Sequence, residues 1–218
     1  LAQRQGRCVT FMPRWTEAAD SQSIHVHISL KDRDGQAVFH DPTQKNGVSQ
    51  TFRHFIGGLQ TYIGDLTLLF QPTVNSYRRF APGTFAPPGL SWGFENRTTC
   101  FRIVGHDAGS LRVENRLPGA DTNPYLTVAA TVAAGIAGIL EQIEPEAETI
   151  GNGYAQQPAR DFARSMPEAI ERLRGSDFAK DWLGARFVEA FASTRETQHN
   201  EFRRKIPDVE LERFFDLG

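Results

Sequence analysis

The chain has 218 residues, a formal charge of −2 and 39% hydrophobic residues, the composition of an ordinary globular protein with one good core or two small ones. Nothing in that balance points to nucleic acid or to a membrane surface as a partner. The basic residues are 20 Arg against 4 Lys, and arginine serves where carboxylates or phosphates are gripped through two parallel bonds.

The two cysteines, Cys8 and Cys100, make neither a metal-ligand spacing nor a disulfide framework, which fits a reducing cytoplasm. Residues 1–7 lack the apolar stretch of a secretory leader. The chain opens on Leu1 rather than Met and enters a strand-like run at 8–12, so it reads as a piece of something longer.

The run Ile24-His25-Val26-His27-Ile28-Ser29-Leu30 alternates with a period of two. On a strand, Ile24, Val26, Ile28 and Leu30 point one way and His25, His27 and Ser29 the other. Asp32-Arg33-Asp34-Gly35 makes a turn. A helix is expected over 49–70, where Phe52, Phe55, Ile56, Leu59, Ile63, Leu66 and Phe70 recur at three- and four-residue spacing before Gln71-Pro72 stops it. Residues 73–90 form a long irregular segment rich in proline and glycine, and ordered loops of that length are commonly functional. Strands are expected around 100–104 and 111–116. Asn123-Pro124 caps a helix reaching about 143, made thin by Ala129, Ala130, Ala133, Ala134, Gly135 and Gly138. Further helices are expected near 159–174, 177–184, 185–204 and 208–216.

Three groups of residues could carry chemistry. His25 and His27 share a strand face about 7 Å apart; imidazoles there can ligate a metal or bond a phosphate, or be ordinary half-exposed histidines. The loop Asn75-Ser76-Tyr77-Arg78-Arg79-Phe80-Ala81-Pro82-Gly83-Thr84-Phe85-Ala86-Pro87 is stiff and carries arginines in want of counter-charges. Between Asn75 and Arg116 there are six arginines, no lysine and three acids. Arg112, Glu114 and Arg116 share one strand face. That pattern is either a salt-bridge ladder or a metal-ligating carboxylate flanked by anion binders.

Taken in order, these blocks resemble the glutamine synthetase family, class I-like. The matching signatures are His25-Val26-His27-Ile28-Ser29, Phe55-Ile56-Gly57-Gly58-Leu59, Pro72-Thr73-Val74-Asn75-Ser76-Tyr77-Arg78-Arg79 with Pro82-Gly83, Trp92-Gly93, Asn96-Arg97, Arg112-Val113-Glu114-Asn115-Arg116 and Ala120-Asp121-Thr122-Asn123-Pro124-Tyr125-Leu126. They cover roughly residues 6–145. The resemblance implies an α+β fold: a curved, mainly antiparallel sheet, half of the family's catalytic barrel, with flanking helices and a helical C-terminal end. Residues 1–121 would be the sheet-rich active-site part and 122–218 the helical part. The family's N-terminal domain and upstream metal-site strands have no counterpart here, so the chain by itself is expected not to turn over.

By the same resemblance, His25 and Glu114 match metal ligands, for Mg2+ or Mn2+. His27, Ser29, Arg97, Arg102 and Arg112 match contacts to ATP. Arg79 and Arg116 match the arginines that hold L-glutamate, and Arg79, Arg97 and Arg116 the catalytic arginines. The implied reaction joins the glutamate γ-carboxylate to an amine or to ammonia through γ-glutamyl phosphate. The implied assembly is a homo-oligomeric ring.

Two departures stand out. Where the family's ammonium-handling loop carries Glu, this chain has Phe85, which cannot bind ammonium or take its proton but offers apolar area to a carbon-bearing amine. That favours a γ-glutamyl-polyamine or alkylamine ligase over a true glutamine synthetase. Asp20-Ser21-Gln22-Ser23 replaces a glycine-containing turn before the histidine strand. A non-catalytic structural protein built on the same scaffold is the third reading.

Overall fold

The computed structural model describes residues 1–81 and 83–216; Pro82, part of the loop above, lies outside the described residues. Four strands, β1 (Val26–Ile28), β2 (Trp92–Phe94), β3 (Phe101–Val104) and β4 (Arg112–Asn115), form one mixed sheet in the order β1-β4-β3-β2. β4 pairs antiparallel with β1 and β3, and β2 runs parallel to β3. Among the described residues there are seven α-helices: α1 (Gln50–Tyr62), α2 (Thr67–Phe70), α3 (Pro124–Leu140), α4 (Met166–Gly175), α5 (Asp177–Leu183), α6 (Ala185–Arg203) and α7 (Asp208–Phe214). The architecture is α+β, with a mainly antiparallel sheet.

The register sorts the sheet into two faces. Ile28 lies opposite Val113, Val113 opposite Ile103, and Asn115 opposite both Val26 and Phe101. Ile28, Phe101, Ile103 and Val113 join the buried cluster that α1 and α3 complete. Asn115, fully buried, donates to Thr131 Oγ1 of α3 at 3.1 Å. The intervening residues face the other way, and there Glu114 lies opposite both His27 and Arg102.

α1 starts where Ser49 accepts from the Phe52 amide. Its apolar stripe (Phe52, Phe55, Ile56, Leu59) is fully buried, and Phe39 stacks on Phe52 with ring centroids 4.0 Å apart. α3 starts where Asn123 accepts from the amides of Tyr125 and Leu126. The two helices cross with their backbones almost touching. A Cβ on Gly58 would stand 2.2 Å from the Ala134 carbonyl oxygen, and one on Gly138 would stand 2.3 Å from that of His54.

Four expectations differ from what is observed. The helix over 49–70 breaks into α1 and α2 at a turn, where Gly64 lies so close to the Asp161 carbonyl that a Cβ would stand 2.8 Å from it; Ile63 and Leu66 stay buried across the break. Residues 8–12 form no strand, since the exposed segment pairs with no strand among the described residues and is met only by the Gln22 side chain, on the Thr10 and Met12 carbonyls. The helix after Asn123 ends at Leu140, and Gln142 turns the chain with φ 55°. The helix expected from 159 starts at Met166, where Ser165 caps it and Pro167 follows. β2, not expected at all, closes one edge of the sheet.

Gly58→Ala should destabilise the protein by about 2 kcal/mol or more, because the methyl group forces α1 and α3 apart. Gly175→Ala, where a Cβ meets nothing within 4 Å, should be close to neutral. Urea unfolding midpoints of the two variants check this; equal midpoints would show that the helix crossing is looser than described.

Candidate active site

The polar face of the sheet centres on Glu114, on the middle strand and 4% exposed. Its Oε1 is 2.7 Å from His25 Nδ1 and accepts from Arg116 Nη1 at 2.9 Å. Its Oε2 accepts from Arg102 Nη1 at 3.2 Å. Burial opposes ionisation here, but the bond from His25, the charges of Arg116 and His25 and the bond from Arg102 outweigh it. Together they hold the carboxyl down to about 2. The histidine strand, β3 and the end of β4 itself therefore converge on one ionised carboxylate.

His27 sits beside it. Arg112 Nε donates to His27 Nδ1 at 3.1 Å and Arg112 Nη1 to the Ser110 carbonyl at 2.7 Å. An acceptor at Nδ1 places the imidazole proton on Nε2. Burial first, and Arg112 with it, lowers the pKa of this histidine, against the pull of Glu114. A neutral ring that can donate from Nε2 results. Ser29 is exposed just beyond β1.

Arg79 comes from the 3-10 helix Val74–Phe80, which a capping box of Thr73 and Ser76 opens. Both hydroxyls also donate to Asp121 Oδ2, at 2.5 and 2.7 Å. Arg79 is 2% exposed and gives Nη1 to the Leu117 carbonyl at 2.8 Å. Burial pushes its pKa down to about 10, with Asp121 opposing and Arg116 adding to the fall. It lies beneath Arg116, turned inward and away from bulk water. Arg97 is different: it stands exposed on the turn after β2, with no ion pair among the described residues. Asn96 anchors that turn, donating to the carbonyls of Thr149 and Gly151 at 3.0 and 2.9 Å.

Phe85 is 68% exposed, with φ 58°. A left-handed conformation costs a side-chain-bearing residue about 1–2 kcal/mol, so the loop must be held. The Thr84 hydroxyl donates to the Ala81 carbonyl at 2.7 Å and also reaches that of Arg79. Tyr154 donates its hydroxyl to the Phe85 carbonyl at 3.0 Å. Ser21, from the turn that lacks glycine, donates to the Thr84 carbonyl at 3.0 Å and ties the histidine strand to this loop.

Sequence reasoning missed Glu95. It adopts a left-handed φ of 48°, accepts from the Gly105 amide at 3.2 Å and pairs with Arg102 Nη2. Arg102 thus bridges two carboxylates. No spacing rule finds such a residue; its only signal is an acid directly before Asn96-Arg97.

Residues 1–214 match the family described as glutamine synthetase, catalytic domain. The chain belongs to the glutamine synthetase family. It is 39% identical, over 99% of its length, to the gamma-glutamylethanolamide synthetase of Streptomyces coelicolor, of which it covers 46%. It is 34% identical to the glutamate–isopropylamine ligase of a Pseudomonas species, covering 48% of it. It is 35% identical to the glutamine synthetase of Thermotoga maritima, covering 50% of it. A solved structure titled "Apo GmaS without ligand" superposes with a TM-score of 0.88 at 31% identity, over 99% of this chain and 50% of that one. The chain therefore spans about half the length of the relatives it matches.

Glu114→Ala would leave His25, Arg102 and Arg116 facing one another without their anion. A loss of about 2 kcal/mol or more is expected, as for other broken buried pairs. Urea denaturation measures it, and a change within about 0.5 kcal/mol would mean that the carboxylate does not organise the cluster.

Proposed function

We propose that the protein of which this chain is part joins the γ-carboxylate of L-glutamate to an alkylamine at the expense of ATP. The convergence of His25, Arg102 and Arg116 on Glu114 carries the reading. It sets two guanidiniums and an imidazole around one ionised carboxylate, and phosphoryl transfer asks for positioning and neutralised charge above all.

His25 and Glu114 are the donors the chain offers to a divalent cation, Mg2+ or Mn2+. Their 2.7 Å contact is compatible with both binding one ion, since bonds of about 2.0–2.2 Å at right angles put two donors about 3 Å apart. Among the described residues, no three His, Cys, Asp or Glu side chains converge, so the remaining ligands come from outside them. A bound ion would neutralise phosphate charge.

The rest is done by the chain's own side chains. His27 Nε2–H and the Ser29 hydroxyl can donate to phosphate oxygens of ATP, beside Arg102 and Arg112. Arg97, exposed on its anchored turn, can reach the phosphoryl group in transit. Arg116 and, beneath it, Arg79 hold the glutamate. ATP phosphorylates the γ-carboxylate, and the amine nitrogen then attacks the γ-glutamyl phosphate, expelling phosphate and leaving an amide. In this reading residues 1–121 are the active-site part and 122–218 the helical support.

Phe85 supports a carbon-bearing amine, as do the names of two relatives. The similar glutamine synthetase keeps ammonia as the second reading. α7 leaves Val209, Phe214 and Phe215 exposed, apolar surface that subunit contacts in a homo-oligomeric ring can cover. No described helix is long and apolar enough to cross a membrane, and two free cysteines suit the cytoplasm.

The test is phosphate release and amide formation by the product of the complete reading frame, with ethanolamine, isopropylamine and ammonium. Alkylamines should turn over faster than ammonium, Phe85→Glu should move preference toward ammonium, and Glu114→Gln should cut kcat by about 100-fold or more. Residues 1–218 alone should be inactive. Turnover with ammonium only removes the alkylamine reading, and turnover with no amine leaves a scaffold without chemistry.

A further inference from the structure

Arg102 is divided between two carboxylates. Its Nη1 donates to Glu114 Oε2 at 3.2 Å, and its Nη2 pairs with Glu95 Oε2. The residue beside Arg102 on β2 is Gly93, which has no side chain, and Glu95, two residues on, covers that flank. Three bonds fix it there. Its amide donates to the Ile103 carbonyl at 2.8 Å, its Oε1 accepts from the Gly105 amide at 3.2 Å, and its Oε2 holds Arg102. Glu95 does this from a left-handed φ of 48°, a conformation that glycine takes freely and that is strained for a residue with a side chain. A turn alone asks for glycine; a carboxylate held on a strained backbone points to a role for the carboxylate.

We infer that Glu95 is a positioning residue: by keeping Nη2 of Arg102, it stops that guanidinium from closing on both oxygens of Glu114 and leaves Glu114 Oε1 open to a divalent cation. The inference rests on the metal reading of His25 and Glu114 given above. A carboxylate oxygen has two lone pairs. On Oε1, one takes Arg116 Nη1 at 2.9 Å, and the other faces His25 Nδ1 at 2.7 Å, where an ion shared with the histidine would bind. Arginine grips a carboxylate best through two parallel bonds. Without Glu95, Nη2 is free to turn to Oε1 and complete such a fork with Nη1, on the lone pair the ion needs. The negative charge of Glu95 acts in the same direction, since it favours a cation nearby. Groups that hold a metal's ligands from behind commonly set its affinity.

Mn2+ can be titrated into the product of the complete reading frame and followed by electron paramagnetic resonance. The ion beside His25 is the one whose imidazole-nitrogen coupling disappears in His25→Gln. Glu95→Gln should weaken the binding of that ion about tenfold or more. Glu95→Gly should do the same while its thermal unfolding midpoint stays close to that of the wild type, because glycine takes φ 48° without strain. A lysine side chain has no fork to close. In an Arg102→Lys background, Glu95→Gln should therefore weaken the ion by about threefold or less, the effect of the lost charge alone. Unchanged Mn2+ affinity in Glu95→Gln, an equal loss in the Arg102→Lys background, or a loss in Glu95→Gly matched by a fallen midpoint each overturns the inference and leaves the ligase reading to the amine assay. A wild-type protein that binds no Mn2+ at His25 overturns both the inference and the metal reading beneath it.

Discussion

The carboxylate of Glu114 is the constraint on which the polar face of the sheet depends. Its strand is central, so its neighbours are imposed by register: His27 on one side and Arg102 on the other. Taking a carboxylate out of water costs several kcal/mol unless its oxygens are fully partnered, and here His25, Arg102 and Arg116 partner both of them. Arg102 and Arg116 would repel one another without it. Each side of the cluster therefore makes the other tolerable, and the pleat sends these charges to one face while Ile28, Ile103 and Val113 go to the other. The apolar face is seated in turn by α1 and α3, whose glycines let the helices approach to backbone contact.

A second chain of dependence runs behind that wall. Asp121, just before α3, takes the hydroxyls of Thr73 and Ser76 and so fixes the start of the 3-10 helix that carries Arg79. Asp121 also supplies the opposing charge that limits how far burial and Arg116 lower the pKa of Arg79. Helix start, carboxylate and buried guanidinium form one unit. The loop that follows inherits its position from this unit, through the Thr84 hydroxyl on the Arg79 carbonyl. Phe85 is thus placed by residues on three different segments: Thr84 within the loop, Tyr154 far along the chain and Ser21 ahead of the histidine strand.

Where a residue pattern mirrors its environment, the sequence was readable. The alternation from Ile24 to Leu30 follows the two faces of β1, and the stripe from Phe52 to Leu59 is the buried side of α1. The positions of α5 to α7 match the helices expected near 177–184, 185–204 and 208–216. What was not readable depends on contacts between segments. Gly64 gave no hint that the helix would turn there, beside the Asp161 carbonyl. Trp92-Gly93-Phe94 is too short to alternate, and only its pairing with β3 makes it a strand. The run at 8–12 has strand composition but no strand to pair with among the described residues. At the site, residue types and spacing identified His25, Glu114 and the arginines, while the inward turn of Arg79 and the second carboxylate on Arg102 required coordinates.

The charge of this wall also says something about what faces it. The segment from Asn75 to Arg116 holds six arginines against three acids, and two of those acids, Glu95 and Glu114, are engaged by Arg102. A hard divalent cation takes six or more oxygen ligands, whereas His25 and Glu114 offer two donors. Placed against arginines alone, such an ion would be repelled as strongly as its phosphate ligand is attracted. The ligase reading proposed above therefore calls for further carboxylates on the opposite side of the cavity, with the phosphates between. Here β1 and β2 lie at the two ends of the sheet order; the outer edge of β2 is met by the Thr149 amide on the Trp92 carbonyl and by Glu148 on the Phe94 amide, whereas β1 keeps a backbone edge that no named strand pairs, a place where a further strand can join. In the reading proposed above, this half supplies the anion-binding arginines and two of the metal's donors, and the remaining donors join from across the cavity.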